Sequence, residues 1–333
     1  MDSVQFNIIR NQLAASSEII ITTHYNPDGD AIGSSLALYL ILRRLGYKVS
    51  VIIPNDYPAF LKWLPGTKDI NIYENNEAAC DTLIRKADII FCLDYNALNR
   101  VKLFSEKLLD SKATKILIDH HPDPSDEFDF MHSRISISST CEMLYEFFTG
   151  LGYDNQIDKD IAECLYVGIM TDTGSFSYAC NYSQTYEIAA SLIKQGIDAE
   201  QIHRTVYDTY SENRMRLLGY CLSDRLIVNL KYKTAYIWLT LNDLARFNHQ
   251  VGDTEGVVNY ALSIEGITLA ALFTERNDRI RISFRSKGEF SVNEFARKHY
   301  AGGGHRNAAG GDSFLGIAET LQQFEELLKI YFG

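Results

Sequence analysis

The 333 residues are 46% apolar and 23% charged, an ordinary globular composition at a length that suggests about two domains. A formal net charge of −11 excludes a broad basic surface for coating nucleic acid, though not a small phosphorylated ligand held by metal ions and a few local cations. No run reaches the ~18 apolar residues of a membrane span, Arg10, Asn11 and Gln12 break any leader-like stretch, and six cysteines without a Cys-x-x-Cys pair fit a reduced, cytoplasmic setting.

Residues 1–17 read as a helix. Glu18 to Thr23 is an apolar, β-branched strand, and Ala31 to Leu45 is a helix closed by Gly46. Between them lies His24-Tyr25-Asn26-Pro27-Asp28-Gly29-Asp30, a turn at the carboxyl end of a strand, where open α/β sheets place their ligands. Lys48 to Ile53 is the next strand. The segment from Asn55 to Asn76 carries Pro58, Pro65 and Gly66 and is expected to be irregular. Asp88 to Leu93 delivers Asp94 at its end, and Lys115 to Ile118 delivers Asp119-His120-His121. Such short apolar strands alternating with helices predict a doubly wound parallel sheet with helices on both faces.

Ser139-Thr140-Cys141-Glu142 has the pattern of a capping box opening a helix that ends near Gly150. A helix over about 158–170 runs into Thr171-Asp172-Thr173-Gly174. Three more helical stretches (183–194, 198–210, 211–224) read as a connector. From Leu226 onward, strands at 226–231, 235–241, 267–274 and 280–284 and helices at 255–262, 292–299 and 317–331 predict a smaller α+β domain. The expected division is 1–182, a helical connector 183–225, and 226–333, with the active site in a cleft between the two domains.

Four carboxylates (Asp28, Asp30, Asp94, Asp172) and two imidazoles (His24, His120) can converge at the carboxyl edge of such a sheet. Close carboxylates repel unless a cation shares them, and mixed imidazole–carboxylate donors suit a divalent ion such as Mn²⁺ or Mg²⁺. Two adjacent ions are a known arrangement for phosphoryl hydrolysis. The plainer alternative is that Asp30 caps a helix and Asp28 serves the turn. In the second domain, Gly302-Gly303-Gly304-His305 could bring backbone amides and an imidazole to an anion. Arg285 and Ser286, read as following a strand, could grip a phosphate; Arg100 reads more simply as a surface residue.

These motifs, His24-x-Asn26-x-Asp28-x-Asp30, Asp94, Asp119-His120-His121, Thr171-Asp172-Thr173-Gly174 and the glycine loop through Gly311, together resemble the DHH phosphoesterases. That family includes RecJ-like exonucleases and family II inorganic pyrophosphatases. The resemblance covers nearly the whole chain and implies a DHH-associated second domain. It implies one Mn²⁺ on His24, Asp28 and Asp94 and a second on Asp30, Asp94, His120 and Asp172, with Mg²⁺ or Co²⁺ as substitutes. It also implies that His121 and His305 act beside the phosphate and that Arg285 and Ser286 hold a terminal phosphate. The layout is similar to the nanoRNase and pAp-phosphatase branch. The implied activity is hydrolysis of short RNA or DNA oligonucleotides to mononucleotides, or of pAp to AMP, by metal-activated hydroxide attack on phosphorus. Cyclic di-AMP or pApA cleavage is the alternative, and a pyrophosphatase or a non-catalytic nucleotide sensor is less favoured. No membrane and no stable complex with long nucleic acid is expected; a homodimer is left open.

Overall fold

Asp2 opens the first helix, α1 (Ser3–Ala15), by a capping box shared with Gln5. The chain then enters β1 (Ile19–Thr23), all of whose residues are buried. In this computed structural model, described for residues 1–250 and 252–333, the chain forms two compact units, Met1–Thr209 and Tyr210–Gly333.

In the first unit β1 leads to α2 (Gly29–Arg44), which Gly46 closes at φ +88°. Strands β2 (Val49–Ile53) and β3 (Ile70–Ile72) follow, then α3 (Glu77–Lys86) and β4 (Ile89–Leu93). Helix α4 (Ser105–Asp110) precedes β5 (Thr114–Asp119) and β6 (Phe130–Ser133). Helices α5 (Thr140–Leu151), α6 (Lys159–Asp172), α7 (Ser183–Ile193) and α8 (Ala199–Tyr207) complete it. The strands form one parallel sheet in the order β3-β2-β1-β4-β5-β6. Alternate residues face opposite sides. Ile19 and Ile21 join α2, α5 and α6 in one core, and Ile20, Ile90 and Cys92 join α3 and α4 in the other. The predicted doubly wound sheet is therefore present.

The chain proceeds outward from β1 to β2 and β3 on one side, and from β4 to β5 and β6 on the other. The β1–β4 boundary is thus the topological switch point, where a crevice opens at the strands' carboxyl ends. His24 follows β1 and Asp94 follows β4, so neighbouring strands deliver them to that boundary.

Local differences from the sequence reading have physical causes. The segment expected to be irregular contains β3, and β6 was not anticipated; each is short and lies at a sheet edge, where little burial is needed to hold it. Helix α2 starts two residues early because Asp28, not Asp30, is its N-cap, accepting from the Asp30 and Ala31 amides at 3.1 Å. The capping box at Ser139 is half formed. Ser139 accepts from the Glu142 amide, but the buried Glu142 carboxylate turns to Ser138 and to Thr185 Oγ1 at 2.9 Å.

The second unit runs α9 (Glu212–Asp224), β7 (Leu226–Asn229), β8 (Thr234–Leu239), α10 (Leu241–Arg246) and α11 (Val257–Leu262). It continues with β9 (Leu269–Glu275), β10 (Ile280–Ser286), α12 (Val292–His299), β11 (Gly303–Gly304), β12 (Ala308–Ser313) and α13 (Ile317–Phe332). Its mixed sheet has the order β11-β12-β10-β9-β8-β7, with only β8 and β9 parallel. Phe273, Phe284, Phe295 and Phe324 build one core, and α9 and α11 cover the other face. The glycine-rich stretch expected as a loop is largely the β11–β12 hairpin, and Arg285 and Ser286 end β10 rather than follow it.

Candidate metal centre

Two neighbouring segments hold the turn between β1 and α2. Asn26, at φ +59°, receives a side-chain bond from Asn55 Nδ2 at 2.9 Å and gives its amide to Asn55 Oδ1 at 2.7 Å. On the other flank the Tyr25 amide donates to Arg100 O at 2.9 Å. The turn presents His24, whose Nδ1 donates to Tyr25 O at 3.0 Å. With that proton placed, Nε2 carries a lone pair, the arrangement common in imidazole ligands.

Asp94 leaves β4 in the left-handed region, at φ +64°. Asp tolerates that conformation better than most residues do. It is buried, and its two carboxylate oxygens face different partners. Oδ2 lies 3.5 Å from His24 Nε2, which is 3.9 Å from Asp28 Oδ2. Oδ1 lies 3.6 Å from His120 Nε2, itself 3.9 Å from Asp30 Oδ2 and 3.3 Å from Asp172 Oδ2. Two donor groups result, His24/Asp28/Asp94 and Asp30/His120/Asp172, each with its ligand atoms within 4.8 Å of one another. The separations just given mostly exceed hydrogen-bond length. They suit donors placed around an ion with bonds of about 2.1 Å. Asp172 reaches the group as the last residue of α6.

The electrostatics point the same way. Burial first, then the charges of Asp172 and Asp28, push the Asp30 carboxyl up to about 7. Burial and the charges of Asp30, Asp28 and Asp172 hold Asp94 well above the usual carboxylate range. Burial lowers His24 and His121, favouring neutral imidazoles. Neutral imidazoles beside carboxylates that cannot all stay charged together form a donor set that a cation would satisfy. The residues present therefore fit divalent ions.

His121 is bound differently. Its Nδ1 donates to Asp119 Oδ1 at 2.7 Å, and Asp119 is wholly buried at the end of β5. This bond fixes the orientation of the ring, with the proton on Nδ1 and Nε2 turned away from Asp119. Arg100 stands in the same neighbourhood, and its positive charge lowers both His24 and His121. Arg100 is exposed, as the surface reading expects, and its guanidinium makes no hydrogen bond or ion pair among the described residues.

The sequence reading also missed the amino terminus of α5. The Thr140 and Cys141 amides donate to Asp30 Oδ2 and Oδ1 at 2.6 and 2.9 Å, and Thr140 Oγ1 donates to Asp94 Oδ1 at 3.0 Å. The helix start was readable from the sequence; that its first amides serve a carboxylate 110 residues away was not.

The other predicted residues lie in the second unit. Arg285 Nη1 donates to Phe284 O at 3.0 Å. Ser286 is buried; its hydroxyl donates to Phe290 O at 2.7 Å and accepts from Asn307 Nδ2 at 2.8 Å. The Gly304 amide donates to Asn293 Oδ1 at 3.0 Å. A Cβ on Gly302 would meet Gly310 O at 2.1 Å, and one on Gly304 would meet Ala308 O at 2.6 Å, so these glycines are needed for the tight hairpin itself. His305 stands at the hairpin's turn, its amide donating to Ala308 O at 2.7 Å.

Residues 18–169 match the model of the DHH family, N-terminal domain, and residues 229–332 that of the DHHA1 domain. The chain belongs to the DHH family. It is 30% identical to the bifunctional oligoribonuclease and PAP phosphatase NrnA of Thermus thermophilus, over 95% of this chain and 90% of the relative. It is 29% identical to the Bacillus subtilis protein of that name, over 91% and 94%. The crystal structure of an exopolyphosphatase-related protein from Bacteroides fragilis superposes with a TM-score of 0.95 at 42% identity, covering 99% of this chain and 97% of that one.

Proposed function

We propose that this chain is a two-metal phosphoesterase that hydrolyses short oligonucleotides to mononucleotides and converts pAp to AMP. The observation that carries the reading is Asp94, which gives one oxygen to each of two adjacent donor groups. His24, Asp28 and Asp94 would hold one ion; Asp30, Asp94, His120 and Asp172 would hold the other, with Mn²⁺ preferred and Mg²⁺ or Co²⁺ as substitutes. Bound there, divalent ions supply Lewis acidity toward phosphoryl oxygens and make water a better nucleophile at neutral pH.

The chain's own groups do the rest. His121, its Nδ1 proton held by Asp119 and its ring favoured in the neutral form, would act beside the phosphate as a proton acceptor at Nε2. Arg100, exposed and without an ion pair among the described residues, offers a cation whose charge reaches His24 and His121. Arg285 and His305 are the anion-binding groups assigned to the second unit. Two relatives that match at least nine-tenths of their length to this chain carry the oligoribonuclease and PAP phosphatase name, which supports short oligonucleotides and pAp as substrates.

The test is a ranking of kcat/KM with Mn²⁺ on pAp, short RNA, pApA, cyclic di-AMP, pyrophosphate and polyphosphate. Short RNA and pAp should lead, and chelation should abolish turnover. Full activity after exhaustive chelation, or a lead for polyphosphate or cyclic di-AMP, would overturn the reading.

A further inference from the structure

The observed arrangement, one oxygen of Asp94 toward each donor group, lasts only while its carboxylate plane is held. A rotation of about 90° about the bond to the carboxyl carbon would turn both oxygens off line, and the terminal torsion of Asp is soft. Thr140 restrains it. Its Oγ1, fully buried, donates to Asp94 Oδ1 at 3.0 Å, the oxygen facing His120. Its amide donates to Asp30 Oδ2, which lies 3.9 Å from the same His120 Nε2. One residue thus fixes a carboxylate oxygen of Asp94 and one of Asp30, and the Cys141 amide fixes the second oxygen of Asp30. Each of these oxygens keeps a lone pair in reserve. The helix behind Thr140 is firmly seated: Ser139 caps it, and Glu142 ties it to Ser138 and to Thr185 of α7.

We propose that Thr140 is a positioning residue for the metal pair, holding Asp94 in its shared orientation through Oγ1 while its amide aligns Asp30. The proposal rests on the two-ion reading above. It makes the residue a determinant of the second ion's affinity and of the spacing between the ions, without touching substrate.

Thr140→Val keeps the shape and the amide but removes the hydroxyl donor; Thr140→Ser keeps the donor. Near-ultraviolet circular dichroism of each metal-free variant checks the fold. Mn²⁺ binding is then followed by calorimetry and by electron paramagnetic resonance, where a closely bridged Mn²⁺ pair gives an exchange-coupled spectrum and separate ions do not. Wild type and Thr140→Ser should bind two ions and show coupling. Thr140→Val should bind its second ion about 10- to 100-fold more weakly, as loss of a partner behind a metal ligand does. It should lose the coupled signal at equal metal concentration, and its kcat should fall with little change in KM. A wild type that takes up two coupled ions, with a folded Thr140→Val indistinguishable from it, overturns the proposal alone. A wild type that never binds two ions overturns the two-ion reading and this proposal together. A Thr140→Ser variant as impaired as Thr140→Val shows that the methyl packing, not the hydroxyl donor, was at work, and also overturns it.

Discussion

At the scale of single residues, the centre is a conflict between burial and charge. Asp30, pushed up to about 7, carries a proton in much of the metal-free protein at pH 6, and Asp94 is raised in the same direction. Burial lowers His24 and His121, which favours their neutral forms. An incoming ion must therefore expel protons from carboxyl groups. Calorimetry at pH 6 in buffers of different ionisation enthalpy should show net proton release on Mn²⁺ binding, and affinity should weaken as pH falls below about 7. Proton uptake, or affinity independent of pH between 5 and 8, would contradict it. Arg100 makes a second case. Its cation lies outside the donor set, so Arg100→Ala should leave metal content unchanged and raise KM by about 10-fold, the scale of one lost charge-assisted contact. An unchanged KM on every substrate would return Arg100 to the plain surface.

Among elements, α2, α5 and α6 meet where the ligands lie, and glycines set how near they come. A Cβ on Gly29 would sit 2.2 Å from Thr171 Oγ1, and one on Gly33 would sit 2.5 Å from Cys164 O. At Gly168 it would sit 2.2 Å from Cys141 Sγ and 2.7 Å from Asp30 Oδ1. Gly168→Ala should destabilise by about 1–3 kcal/mol through overpacking and weaken Mn²⁺ binding by displacing Asp30. Gly219, inside α9 with nothing within 4 Å of its Cβ position, is the contrast. Gly219→Ala should stabilise by about 0.5–1 kcal/mol. Thermal unfolding of both variants checks the pair, and equal effects would show that the crossing is looser than drawn. These elements also mark how far the sequence could be read. The apolar strands ending at His24, Asp94 and Asp119 were legible because burial on both faces leaves an unbroken β-branched run. The proposed ligands could be singled out because each follows such a run or closes a long helix. The role of α5 was not, since an N-cap signature reads the same whether its free amides meet water or a carboxylate. The glycine stretch misled because three adjacent glycines signal freedom from side chains, which here serves a crowded hairpin rather than an open loop.

At the scale of the whole molecule, each unit has its own cores, and the roles proposed above divide between them. All six proposed metal ligands belong to Met1–Thr209, whereas Arg285 and His305 belong to Tyr210–Gly333. If the second unit serves the substrate alone, substitutions there should spare the metals. His305→Ala should keep wild-type Mn²⁺ stoichiometry and lower kcat by roughly 10²-fold, about what one donor to a developing phosphoryl charge contributes. Arg285→Ala should act mainly on KM, because a phosphate remote from the reacting bond is held alike in ground and transition states. A lost charge-assisted contact of ~1.5–3 kcal/mol corresponds to roughly 10- to 150-fold in KM. The loss should be greatest for pAp, which offers one phosphate besides the reacting one, and smaller for oligonucleotides, whose further phosphates supply other contacts. Wild-type kinetics for both variants on every substrate would remove the second unit from phosphate recognition. Loss of Mn²⁺ in either variant would instead mean that the second unit takes part in holding the metals, and the division of labour drawn here would fall.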